Sequence, residues 1–301
     1  MKKSILSVAI ALGISSVYAQ DLTSKKGEPF LPEANDWAIS VDASPFLNYA
    51  GRMLSTTGST SPTVGYTNTN FMIMGKMFKD EKTAYRVKLR LGMNSSSQKT
   101  NIADASNTSA VTFPNLAPVV EDKAKSRTTF FGVGVGLEKR RGKTRLQGFY
   151  GGEGMIGLTS GSAKFEYGND YSTTATNTQA ISTNYTVSVG NSSVGNLNAP
   201  YGGRILTYKQ KMGFGLGVRG FIGAEYFIFP KMSIGGEFGW GIGFSTGGKT
   251  KTTSEAWDGT SQAKGETEVE NPGSSSFIID TDINNSVLGG GSAQLTLNLH
   301  F

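Results

Sequence analysis

The final ten residues alternate strictly between two kinds of side chain. Ala293, Leu295, Leu297, Leu299 and Phe301 fall on one face, and Ser292, Gln294, Thr296, Asn298 and His300 fall on the other. A period of two is the geometry of a β-strand that meets two different environments. It constrains the fold more tightly than any motif in the chain, because the same pattern recurs upstream.

Tyr85, Val87, Leu89, Leu91 and Met93 oppose Arg86, Lys88, Arg90 and Asn94. Val133, Val135 and Leu137 oppose glycines and Glu138, and Phe214, Leu216, Val218, Ile222, Ala224, Tyr226 and Ile228 oppose Arg219, Gly223 and Glu225. Ile234, Phe238, Trp240, Ile242 and Phe244 oppose Ser233, Glu237 and three glycines. Weaker alternation occurs around Trp37, Ile39 and Val41, around Phe71, Ile73 and Met77, and around Leu146, Tyr150 and Ile156. The pattern predicts eight strands, at 37–49, 68–79, 83–95, 128–139, 144–157, 206–229, 232–246 and 289–301.

The connections between them alternate in length. Asp80-Glu81-Lys82, Arg140-Arg141-Gly142-Lys143 and Pro230-Lys231 are short and carry turn or charge chemistry, whereas 50–67, 96–127, 158–205 and 247–288 are long and rich in Ser, Thr, Asn and Gly. An even number of strands, with short turns at one end and long polar loops at the other, is the pattern of a transmembrane β-barrel of the bacterial outer membrane. Hydrocarbon offers no hydrogen-bond partner, so only a closed sheet satisfies the backbone there. The fold expected is all-β, an eight-stranded antiparallel up-and-down transmembrane barrel over 37–301. Tyr85, Tyr226 and Phe301 would form one aromatic girdle, and Tyr49, Trp240 and Phe244 the other. A secreted soluble β-sandwich is the competing fold, but it does not explain four long loops on one side.

The beginning of the chain reads as an export signal. Lys2 and Lys3 precede the apolar run Ile5 to Ile14, and Val17 and Ala19 occupy the positions before a cleavage site after Ala19. Residues 1–19 are therefore expected to be a signal peptide, and 20–36 a periplasmic N-terminal segment. The net charge of +6 includes Lys2 and Lys3, so the exported chain is only mildly basic and nucleic acid is not an expected partner. Cys is absent, which excludes disulfides, thiol nucleophiles and Cys-based zinc sites, and a single His leaves little material for His chemistry.

The signal peptide, the eight strands and the terminal Leu297-Asn298-Leu299-His300-Phe301 together resemble the small outer-membrane barrels of the OmpA and OmpX type, within the wider porin-like group. The resemblance implies that Leu297, Leu299 and Phe301 are read by the barrel-assembly machinery. It also implies outer-membrane lipid and lipopolysaccharide as surroundings. Unlike OmpA-type chains, this one is not expected to carry a domain after the barrel pattern, and its loops are expected to be longer than in the compact members.

Interior positions hold Lys76, Arg86, Lys88, Arg90, Arg145 and Arg219 against Asp42, Glu138, Glu153, Glu225 and Glu237. An eight-stranded barrel is just wide enough for its side chains to fill it, and unpaired charges there are costly. A paired structural network closing the lumen is expected. The competitor is a narrow small-solute channel, favoured by inward glycines that leave free volume.

Three motifs fail on context. Gly243 to Thr250 matches a phosphate-binding loop, but no helical face follows it. Gly215-Leu-Gly217-Val-Arg-Gly220 matches a dinucleotide fingerprint but lies inside a strand. Asp280-Thr-Asp282-Ile-Asn284 opens like a calcium loop, yet Asn285 and Gly291 stand where Gly and Glu are needed. A weak cation site in that loop is weighed against plain solvated turn residues. The only His lies at the end opposite the long loops, so an outward His-dependent active site is not expected. The reading is thus non-enzymatic, without catalytic residue, cofactor or metal. The long loops would provide a structural or surface-interaction role toward an extracellular or envelope partner, with Trp257, Tyr171 and Tyr185 as contact anchors. An envelope enzyme acting on lipid or peptide is the remaining alternative.

Overall fold

A computed structural model describes residues 22–43, 73–106, 118–170, 182–200, 203–281 and 294–301 (apart from 191, 259 and 262), together with 46, 49, 51 and 53. The expected signal peptide, residues 54–72 including Phe71, and Tyr171, Asp282, Asn284, Asn285 and Gly291 lie outside the described residues. Among the described residues thirteen strands are present: β1 (Trp37–Asp42), β2 (Ile73–Asp80), β3 (Thr83–Ala103), β4 (Val119–Arg141), β5 (Leu146–Glu166), β6 (Thr186–Val189), β7 (Ser192–Gly195), β8 (Arg204–Phe229), β9 (Met232–Thr246), β10 (Thr250–Asp258), β11 (Ala263–Asn271), β12 (Ser275–Thr281) and β13 (Gln294–His300).

Eight of them form a closed antiparallel ring in the order β1-β2-β3-β4-β5-β8-β9-β13, with β13 pairing back onto β1. These are the eight strands that alternation predicts. At the seam the Trp37 amide donates to the Phe301 carbonyl and the Phe301 amide to the Trp37 carbonyl, each at 2.9 Å. Short turns join β2 to β3, β4 to β5 and β8 to β9. In the first, Asp80 Oδ1 accepts from the Lys82 amide at 2.8 Å. In the last, Lys231 takes a left-handed φ of 60°.

Alternation sorts the side chains between the two faces of the ring. Trp37, Ile39, Tyr85, Val87, Leu89, Val135, Leu216, Val218, Ile222, Phe238 and Trp240 point outward and are exposed. Lys76, Arg86, Lys88, Glu138, Glu153, Arg219, Glu225 and Glu237 point inward and are buried. The ring thus carries its large apolar side chains on the outside and its charged ones within.

The structure departs from expectation above the ring. β3, β4, β5 and β8 run 21, 23, 21 and 26 residues, well into segments that read as loops. In β3 pairing continues there without an apolar face: Ser95, Ser97, Lys99 and Asn101 turn one way and Ser96, Gln98 and Thr100 the other, so nothing periodic marks the strand. The upper part of β8 leaves β9 and pairs with β10, which pairs with β11. The upper part of β9 pairs with β12, while its lower part pairs with β13. β1 is shorter than expected, and Phe46, Tyr49, Gly51 and Met53 have helical backbone, so Tyr49 is not a strand girdle residue.

This upper lobe has its own core. The β6–β7 hairpin lays Val187, Val189 and Val194 against Ala124, Ala163, Phe165 and Ile205, together with Tyr185. Asp122, fully buried, accepts from the amides of Gly168 at 2.9 Å and Thr183 at 2.7 Å, and its own carbonyl accepts from the Tyr185 hydroxyl at 2.9 Å. Arg204 pairs with Glu255 at 2.7 Å, and burial pushes the neighbouring Tyr167 phenol well above its usual range. Tyr185 is therefore a core residue rather than an exposed anchor, and Trp257 is half-buried on β10.

Candidate functional site

Among the described residues, charged side chains converge from all sides in the interior of the ring. Each carboxylate there is shared between cations. Glu138 faces Lys76 at 3.0 Å and lies within 3.6 Å of Arg140 and 3.7 Å of Arg86. Glu153 faces Lys88 at 2.8 Å and Arg219 at 3.1 Å. Glu237 accepts from Arg86 at 2.7 Å and Arg219 at 2.9 Å. Glu225 accepts from Arg140 at 2.8 Å and lies 3.8 Å from Lys76. Strands β3 and β9 stand four places apart around the ring, as do β2 and β8. The Arg86–Glu237 and Lys76–Glu225 contacts thus cross its full width.

Aromatic rings fill the space between these pairs. The Arg86 guanidinium lies 3.9 Å from the Phe221 ring centre, and the Lys76 ammonium 5.0 Å from that of Phe149. Such cation–π contacts are worth more where water is excluded. The inward glycines are what admit these rings. A Cβ on Gly151 would come within 2.6 Å of the Phe221 ring, and one on Gly223 would clash with Phe149. The free volume that the glycines suggest in sequence is occupied by phenylalanine.

Eight of the eleven charged interior candidates join this network: Lys76, Arg86, Lys88, Glu138, Glu153, Arg219, Glu225 and Glu237. The other three do not. Arg90 stacks on Phe130, 3.9 Å from its ring centre, one step above the pairs. Asp42 ends β1 half-buried, opposite Thr296. Arg145 sits in the β4–β5 turn, 3.6 Å from the ring centre of Phe30. Its partner belongs to the segment before β1, whose Asn35 amide donates to the Phe78 carbonyl at 2.7 Å. That segment crosses the short-turn end from β2 to the β4–β5 turn.

Sequence reasoning missed Arg140, because Arg140-Arg141-Gly142-Lys143 reads as a turn; the signal was the parity it shares with Glu138. It also missed the cluster of Ser233, Asn298 and His300 around Glu225. His300 Nε2 lies 3.1 Å from Glu225 Oε1 and 3.3 Å from Ser233 Oγ. A nucleophile–base–acid relay needs the hydroxyl and the carboxylate on opposite ring nitrogens. Here both face the same nitrogen, Nδ1 is buried without a hydrogen-bond partner among the described residues, and all three side chains are buried.

Of the terminal residues, Leu299 and Phe301 face outward and are exposed, and Leu297 is paired between Val41 and Ile234. Neither nucleotide-like motif opens a helix: Gly215–Gly220 is inside β8, and Gly243–Thr250 runs from the end of β9 through the connection at 247–249 to the start of β10. Asp280 lies on β12. In comparisons with known proteins, no family model, no curated protein and no solved structure matches this chain.

Proposed function

We propose that this chain is a transmembrane β-barrel of the bacterial outer membrane whose lumen is sealed and whose long-strand end carries a folded lobe outside the membrane. The observation that carries the reading is the inversion of the ring, with an exposed apolar belt outside and paired charges inside. About 10 residues of tilted strand cross a bilayer. The 21 residues of β3 therefore extend well beyond one, and the apolar face of β3 ends at Met93.

The role is non-enzymatic, structural or surface-interacting, with outer-membrane lipid and lipopolysaccharide around the belt and an envelope or extracellular partner on the lobe. The Arg86–Glu237 and Lys76–Glu225 contacts across the bore, with Phe149 and Phe221 between them, support a sealed lumen over a narrow channel. The test is insertion of the refolded full chain into phosphatidylcholine vesicles, followed by added protease and by conductance recording. Protection of the belt strands without current supports the reading. A chain that folds in buffer free of detergent and lipid overturns it.

A further inference from the structure

Just above the apolar belt, the outward face of the sheet carries lysines and arginines that the fold places side by side. Lys125 on β4 stands directly opposite Lys164 on β5, and Lys209 on β8 directly opposite Lys251 on β10. Arg127, Ser162, Lys209 and Lys251 form one continuous cross-strand row. Phe131, Leu158 and Phe214, themselves in register, mark the apolar face below it. Like charges directly opposed in a sheet destabilise it, so two such pairs in neighbouring rows need a counter-charge.

The protein supplies counter-charge to only part of the array. Lys251 pairs with Glu268 at 2.7 Å, Lys211 with Glu270 at 2.8 Å, Lys164 with Glu166 at 2.9 Å and Lys123 with Glu121 at 2.9 Å. Lys125, Arg127 and Lys209 make no ion pair within 4.0 Å among the described residues and all three are exposed, although the Glu166 carboxyl is held below its usual range by Lys164 and, with it, by nearby Lys125, and Arg127 donates to Met93 Sδ at 3.1 Å.

We propose that this array binds the phosphate groups of phosphorylated lipid headgroups in the outer leaflet. The inference rests on the membrane reading above, and it names the ligand chemistry at that rim. Strands stand about 4.8 Å apart, so the row from β4 to β10 extends roughly 14 Å along the bilayer surface. Its height immediately above the belt matches headgroup phosphates, whose acyl chains would lie on Phe131 and Phe214. Guanidinium and ammonium groups both bind phosphate strongly.

The test compares the full-length chain with a Lys125→Gln/Lys164→Gln/Lys209→Gln variant, using Lys139→Gln/Lys143→Gln at the opposite end as the control. Each is refolded into phosphatidylcholine vesicles containing bisphosphorylated lipid A or its dephosphorylated form. Lipid retained after extraction in mild detergent is measured by mass spectrometry. The expected result is selective retention of the phosphorylated form, weakened roughly 100-fold in the triple variant at about fivefold per cation, and unchanged in the control. Equal retention by wild type and triple variant overturns the proposal, as does equal retention of both lipid forms. Displacement of the lipid by millimolar inorganic phosphate assigns the array to free phosphate and overturns the lipid source. If no variant enters vesicles, the membrane reading falls first; if all enter and retention is equal, only this inference falls.

Discussion

Arg86 Nη2 and Glu237 Oε2 meet at 2.7 Å although 151 positions separate them and their strands stand on opposite sides of the ring. Both side chains are buried. Removing one partner of a buried pair leaves the other charge uncompensated, which costs about 3–5 kcal/mol. Glu237→Gln is therefore expected to lower unfolding stability in detergent micelles by that order, and Glu237→Asp by less. An unchanged urea midpoint for Glu237→Gln would show that the contact does not contribute to stability.

The filled interior makes an electrical prediction. The wild-type chain should remain silent in planar bilayers. A Phe149→Ala/Phe221→Ala variant, which empties the space above Gly151 and Gly223, should admit small ions. Steady unitary currents from the wild type would refute the sealed lumen.

Outward residues can be tested by their depth. Leu216 and Val135 are exposed on the belt, and arginine at the bilayer midplane costs roughly 2–4 kcal/mol. Leu216→Arg and Val135→Arg should each reduce folding into vesicles by that order. Arginine placed at Ser97, on the same face of β3 above the belt, should be neutral. Equal behaviour of the three variants would remove lipid from the account.

How legible the fold was depended on whether the two faces of a strand differ in polarity. In β3 the stretch from Tyr85 to Met93 announces itself because valine and leucine alternate with lysine and arginine. From Ser95 onward both faces are polar, and the same strand becomes invisible in sequence although every pair to Ala103 is formed. Interior charges were legible for the same reason, whereas their partners were not. Nothing local in sequence links Lys76 to Glu225. Glycine misled in the opposite sense, because a missing side chain looks like empty space until Phe221 is seen to occupy it.

The lobe should come apart separately from the ring. Asp122 holds the amides of Gly168 and Thr183, so Asp122→Ala removes two charge-assisted hydrogen bonds, worth about 1.5–3 kcal/mol each. Limited proteolysis should then cut the variant between Gly168 and Tyr185 much faster than the wild type, with the belt strands still protected. Loss of belt protection at the same rate would mean that ring and lobe fold as one unit.

Phe301→Ala keeps the backbone bonds to Trp37 but removes the aromatic side chain. Refolding in detergent should be close to wild type, while the fraction assembled in the outer membrane of cells should fall several-fold. Normal assembly would dissociate Leu297, Leu299 and Phe301 from recognition by the assembly machinery.

Because β1 finds one of its two neighbours only in β13, which follows every other ring strand in chain order, the circle cannot be completed piecemeal. Until that last segment pairs, two sheet borders keep unpaired backbone donors and acceptors. A chain lacking β13 would therefore leave β1 and β9 each with a bare edge and could not be a smaller closed version of the same ring.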